Sequence, residues 1–154
     1  MSDRSAIKPS LTLKRHLKAP PARVFAAWTD PQKMKRWMGP AGSEILKAEV
    51  DARVGGGYRI EMRSADGNPH TVTGVYREVI AGEKLVFTWQ WAVTPPELPH
   101  ESLVTVLIKA DGDGTLLTVT HERLSSEEAR KAHEQGWMSS LDKLERLVAG
   151  ALLV

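Results

Sequence analysis

The sequence predicts an α+β domain: a curved antiparallel sheet of about seven strands wrapped around a long C-terminal helix, with two short helices after the first strand. Three observations carry this. Short alternating apolar segments divided by Gly-rich turns run from residue 45 to residue 122. A single apolar stripe at helical spacing fills residues 129–148. The five Trp are spread over every kind of element, with Trp28 and Trp37 in the short helices, Trp89 and Trp91 in a strand, and Trp137 in the long helix. A core built only to be full would rely on Leu, Ile and Val. Large flat side chains drawn from helix, sheet and helix point to elements converging on one wide space.

The elements follow in order. Leu11 to Leu17 begins with apolar–polar alternation and suits a half-buried strand, ended by Pro20-Pro21. Pro21 starts a short helix that places Val24, Phe25 and Trp28 on one side. Asp30-Pro31 restarts a helix with Asp at the N-cap and Pro at the first helical position, and Gly39-Pro40 stops it. Ile45 to Val54 reads as a strand, and Gly55-Gly56-Gly57 as a bend or bulge where the sheet curves. Tyr58 to Arg63 alternates with Tyr58, Ile60 and Met62 on one face, leaving Arg59 and Glu61 to pair in solvent. Ala65-Asp66-Gly67-Asn68 is a hairpin turn. Thr71–Ile80 and Lys84–Ala92 follow as strands, the second with Leu85, Phe87, Trp89 and Trp91 in one row. Thr94 to Pro99 is a Pro-rich loop. Leu103–Lys109 and Leu116–Glu122 form a further hairpin. Ser125 and Glu128 match a capping box with Ser125 at the N-cap. The helix after it carries Ala129, Ala132, Gly136, Trp137, Ser140, Leu141, Leu144, Leu147 and Val148 on one stripe, with Gly150 as a stop. About 24 residues of helix span about 36 Å, enough to cross a small domain. One helix laid into a concave sheet need not fill it, so this order favours a cavity between them.

Residues 11–150 are expected to form one domain, flanked by a flexible segment 1–10 and a tail 151–154. There is no Cys among the 154 residues, which excludes disulfides, thiol catalysis and Cys-based zinc sites. The polar N-terminus is no signal peptide and no run reaches membrane-span length, so a cytoplasmic location without a membrane span is expected. Residues 1–37 carry nine Lys/Arg against Asp3 and Asp30, while the remainder carries 12 basic and 17 acidic residues. A solvated basic face accounts for that, and no motif supports nucleic-acid binding.

Metal, phosphate and nucleophile motifs are missing. His100-Glu101, His121-Glu122 and His133-Glu134 suggest a zinc helix, but the position four after each His holds Val104, Ser125 or Trp137. The three glycines precede a strand rather than Gly-Lys-Ser/Thr, so they are no phosphate loop. No catalytic residue, metal or cofactor is therefore assigned.

Several stretches resemble the helix-grip superfamily, which includes steroidogenic-acute-regulatory-related lipid-transfer (START) domains, Bet v allergens and polyketide cyclases. Within it, the chain is most similar to homologues of the activator of heat-shock protein 90 ATPase. The resemblance rests on Ala19-Pro20 through Phe25, Trp28 to Pro31, Trp37 to Pro40, Asp51 to Gly56, Gly74 to Val79, Glu83 to Trp89, Gly114-Thr115 through His121, and Gly136-Trp137 through Leu144. Together these span residues 11–149 in family order. The resemblance implies a helix-grip fold with a cavity. Eukaryotic activators carry much of their chaperone contact on a separate N-terminal domain, so the family name implies no chaperone activity here.

The expected function is the binding of a small hydrophobic or amphipathic ligand in the cavity between the C-terminal helix and the sheet. The candidate lining is Trp37, Met38, Tyr58, Ile60, Met62, Phe87, Trp89, Val119, Trp137 and Leu141, an apolar concavity with adaptable Met side chains. Tyr76 and His121 are the candidate polar fixtures. His121 shares a face with Leu117 and Val119 and is either a hydrogen-bonded core histidine or a ligand contact and general base. Tyr76 is either a rim residue or a phenol donor to the ligand. His70 and His100 are expected at the surface. Two alternatives belong to other classes. One is a chaperone-associated interaction module of a stress response. The other is a cyclase- or dehydratase-like enzyme using His121 or Tyr76. The apolar end Ala151–Val154 suits a homodimer contact as well as a free tail of a monomer.

Overall fold

The computed structural model describes residues 8–94 and 97–150; the tail 151–154 and most of the expected flexible segment 1–10 lie outside the described residues. The described elements are β1 (Leu11–Leu17), α1 (Pro21–Thr29), α2 (Pro31–Trp37), β2 (Glu44–Val50), β3 (Gly57–Arg63), β4 (Pro69–Ile80), β5 (Lys84–Trp91), β6 (Glu101–Asp111), β7 (Gly114–Glu122) and α3 (Glu127–Gly150). The strands form one antiparallel sheet in the order β1-β7-β6-β5-β4-β3-β2. Five hairpins in sequence run from β2 to β7, and β1 closes onto the outer edge of β7. The α+β class and the helix-grip arrangement are therefore as the sequence predicts. No helix among the described residues is long and apolar enough to cross a membrane.

Local chemistry sets the element boundaries. Asp30 caps α2, its carboxylate accepting from the Gln32 backbone N–H at 2.9 Å, with Pro31 at the first helical position. At the start of α3 the cap lies one residue beyond the expected Ser125. Ser126 Oγ accepts from the Ala129 N–H at 3.0 Å, so Ala129 rather than Glu128 occupies N3 and no reciprocal capping box forms. Glu127 and Glu128 still favour the helix start through its dipole.

β2 ends at Val50, four residues short of its predicted end. Asp51 to Gly56 instead fold into a tight loop, in which Gly55 adopts φ +85° and donates to the Tyr76 carbonyl at 2.8 Å. Next to it β4 is irregular between Tyr76 and Glu78. Gly74 is required by contact. Tyr58 lies opposite it, and a Cβ there would sit 2.4 Å from the Tyr58 ring and 2.0 Å from the Thr88 carbonyl. Its absence lets the buried Tyr58 hydroxyl donate to Thr88 O.

The alternating faces pack as their patterns require. Tyr58, Ile60 and Met62 are buried, while Arg59 and Glu61 pair on the outside at 3.0 Å. α3 buries Trp137, Leu141, Leu144 and Val148 and exposes Met138. Arg15 on β1 reaches Asp142 of α3 at 2.7 Å. At this end the core is aromatic. Trp28 packs edge-on to Trp37 at 4.6 Å and stacks on Trp137 at 5.8 Å, and Trp37 Nε1 donates to the Ala27 carbonyl at 2.8 Å.

Candidate functional site

A cavity of about 300 Å³ opens between α3 and strands β3–β5. Three walls build it. The sheet supplies Met62 and Ser64 at the end of β3, His70 on β4, and Trp89 and Trp91 on β5. The helix supplies Ala132, His133, Gly136, Trp137 and Ser140. Met38, Gly39 and Pro40, just past α2, close one end. Ser140 Oγ ties this end to the helix by donating to the Gly39 carbonyl at 2.9 Å.

The cavity exists because the helix is thin where it crosses those strands. Ala132, Gly136 and Ser140 recur every four residues and so lie along one line of α3. Gly136 decides the width. A Cβ there would meet only Pro40 Cγ, at 3.9 Å, an ordinary contact, so no close packing demands a glycine. A mid-helix Gly costs about 1 kcal/mol against Ala. The cost at Gly136 leaves open space.

Behind the wall runs a chain of buried hydrogen bonds whose direction is fixed. Ser102 Oγ–H donates to the Trp89 carbonyl at 3.0 Å, so at 2.7 Å it accepts from His121 Nε2–H. His121 Nδ1 then accepts from Trp137 Nε1–H at 3.0 Å. His133 is placed alike: Nδ1–H donates to the Ala129 carbonyl at 2.7 Å, and Nε2 accepts from Trp91 Nε1–H at 3.0 Å. The two imidazoles meet edge to face at 4.9 Å. Protonating either would set an N–H against an indole N–H. Burial, and then the neighbouring His133, push His121 down to about 3. Burial lowers His133 as well.

Of the residues singled out in the sequence, Met38, Met62, Trp89 and Trp137 border the cavity. Tyr58, Ile60, Tyr76 and Phe87 border a separate void of about 10 Å³, together with Met38 and Trp89. Trp37, Val119 and Leu141 are buried core residues. His121 is fully buried, with both ring nitrogens engaged, and Tyr76 is also buried. His70 is exposed and stands at the cavity rim; His100 is exposed, with Nε2 at 2.6 Å from the Arg123 carbonyl. Sequence reasoning missed His133, Trp91 and the small residues of α3 as lining. The repeat Ala132-x₃-Gly136-x₃-Ser140 was the available signal.

Solved structures share this architecture. A protein from Chromobacterium violaceum is 32% identical with a TM-score of 0.82, covering 90% of this chain and 96% of that one. The AHSA1 protein from Silicibacter pomeroyi is 29% identical with a TM-score of 0.82, covering 92% and 98%. A protein from Nitrosomonas europaea is 26% identical with a TM-score of 0.78, covering 94% and 97%. No curated protein sequence matches the chain. The family model described as activator of Hsp90 ATPase homolog 1-like protein matches residues 18–149, from the end of β1 to the last turn of α3. The chain therefore belongs to the activator of Hsp90 ATPase homolog 1-like family.

Proposed function

We propose that this protein binds a small apolar or amphipathic molecule in the cavity between α3 and β3–β5. The observation that carries the reading is the line Ala132, Gly136 and Ser140 of α3 set across open space from Trp89 and Trp91 of β5, with Trp137 beside it on the same helix. Its volume lies at the lower end of the range for small-molecule sites. The engaged nitrogens of His121 favour binding over acid–base turnover, because they leave neither a lone pair nor a proton for a substrate. A cytoplasmic location fits the Cys-free chain.

Thermal melting with 2-ethylnaphthalene tests this. A ligand at 100 times its dissociation constant stabilises by about 2.7 kcal/mol, which in a domain of this size raises the midpoint by about 5–10 °C. Gly136→Phe should abolish the shift while the protein stays folded. An equal shift in wild type and Gly136→Phe would refute this site.

A further inference from the structure

Deep in the cavity the polar groups are spent. The wall bears no Lys, Arg, Asp or Glu. The indoles of Trp91 and Trp137 donate to His133 and His121, and both ring nitrogens of His133 are bonded. Ser140 is buried and gives its hydroxyl hydrogen to the Gly39 carbonyl. Trp89 Nε1 is buried, out of a ligand's reach. A polar group carried to this depth loses its water and gains no partner.

The mouth is different. His70 of β4 pairs with Met62 of β3, so both side chains stand on the same, concave face of the sheet, Met62 buried and His70 exposed. The His70 ring meets Trp91 of the wall edge to face at 6.2 Å. The hairpin turn beside it fixes which nitrogen is engaged. Ser64 Oγ has one hydrogen, which goes to the Asp66 carboxylate or the Asn68 carbonyl, both pure acceptors. Toward His70 the hydroxyl therefore accepts, and Nε2–H donates to it at 3.2 Å. In the neutral ring Nδ1 is then a lone-pair acceptor, with no partner among the described residues, on an exposed side chain that borders the cavity.

Resting on the binding reading above, we propose that the cavity selects a ring-bearing alcohol or phenol that is polar at one end only. Its apolar end lies inward, among Trp89 and Trp137, and its hydroxyl stays at the mouth and donates to His70 Nδ1. Rings suit the walls, where Trp89 meets Trp91 edge to face at 5.6 Å and Trp137 at 5.2 Å. The first hydroxyl finds an acceptor at the mouth, and a second one, at the inner end, finds none.

Three probes on one ring frame decide it: 2-methylnaphthalene, 2-naphthol and naphthalene-2,6-diol, titrated calorimetrically and against the ¹⁵N-labelled imidazole resonances. 2-Naphthol should bind about two- to tenfold tighter than the methyl compound, as one neutral hydrogen bond provides. The diol, which must carry a hydroxyl inward, should bind at least about fivefold more weakly than 2-naphthol. In His70→Phe, which keeps a ring against Trp91, 2-naphthol should lose its advantage over the methyl compound. Should that substitution unsettle the hairpin, the His70 Nδ1 resonance of the unsubstituted protein gives the same readout, moving upfield with 2-naphthol and staying with 2-methylnaphthalene. Equal affinity of naphthol and methyl probes, an advantage kept in His70→Phe, an unmoved Nδ1 resonance, or a diol binding as tightly as 2-naphthol would overturn the inference while leaving the binding reading intact. Binding of none of the three would overturn both.

Discussion

The two spaces between the helices and the sheet differ by their neighbours. Around the void of about 10 Å³, α1 and α2 push Trp28 and Met34 against Tyr58, Ile60, Tyr76 and Phe87, and the interior closes. Around the cavity of about 300 Å³, Ala132, Gly136 and Ser140 of α3 stand opposite the strands. Trp89 and Met38 belong to both. The concave sheet is common to the two regions. Side-chain size on the covering helices determines where it is filled.

The contrast predicts graded consequences. At the closed end Trp28→Ala should be the most damaging change, costing about 3–5 kcal/mol in urea unfolding, because Trp37, Trp137 and Phe87 cannot all collapse into its place. A cost near 1 kcal/mol would mean this end is as loose as the other. Ser102→Ala removes the acceptor of His121 Nε2–H and leaves the Trp89 carbonyl short of its donor, for about 1–3 kcal/mol. No loss would break the assigned direction of the relay.

Acid should act through the same histidines. Both are held below the ordinary imidazole range in the folded state, His121 at about 3. Between that value and about 6.5 the unfolded chain binds more protons than the folded one, so stability falls as pH falls. From pH 6.5 to 5 the slope should approach about 1.4 kcal/mol per pH unit for His121 alone. In His121→Gln the slope should flatten; an unchanged slope would place the sensitivity elsewhere.

The smallest effect has the opposite sign. Gly136→Ala fits beside Pro40 Cγ and should stabilise by about 0.5–1 kcal/mol while weakening ligand binding. Destabilisation would mean that the glycine serves packing rather than space.

The sequence announces what is periodic. The alternation of Tyr58, Ile60 and Met62, the Asp30-Pro31 helix start and the long stripe of α3 all give the elements found. Ser125 and Ser126 are chemically equivalent caps, so pattern alone does not choose between them. The loop at Asp51–Gly56 depends on hydrogen bonds of Gly55 and Gly56 with Tyr76 of β4, and the irregularity at Tyr76 on the register between β4 and β5, neither of which a local pattern encodes. The cavity is less legible. Large apolar residues mark what fills an interior, and Trp37, Val119 and Leu141 lie in the core rather than on the cavity wall. A cavity is marked by small residues where large ones are expected. The zinc-helix spacing already fails at His133, where Trp137 stands four residues on, but its partner Trp91 lies 42 residues away and no spacing announces it.

The most direct measurement uses the methionines, five in the whole chain, as reporters. With ¹³C-methyl-labelled methionine, 2-ethylnaphthalene should shift Met38 and Met62, which border the cavity, saturably and with one dissociation constant. Met138, exposed on the outer face of α3, should not move. Unmoved Met38 and Met62 signals, or a shift of Met138 as large as theirs, would contradict a binding cavity between α3 and the sheet.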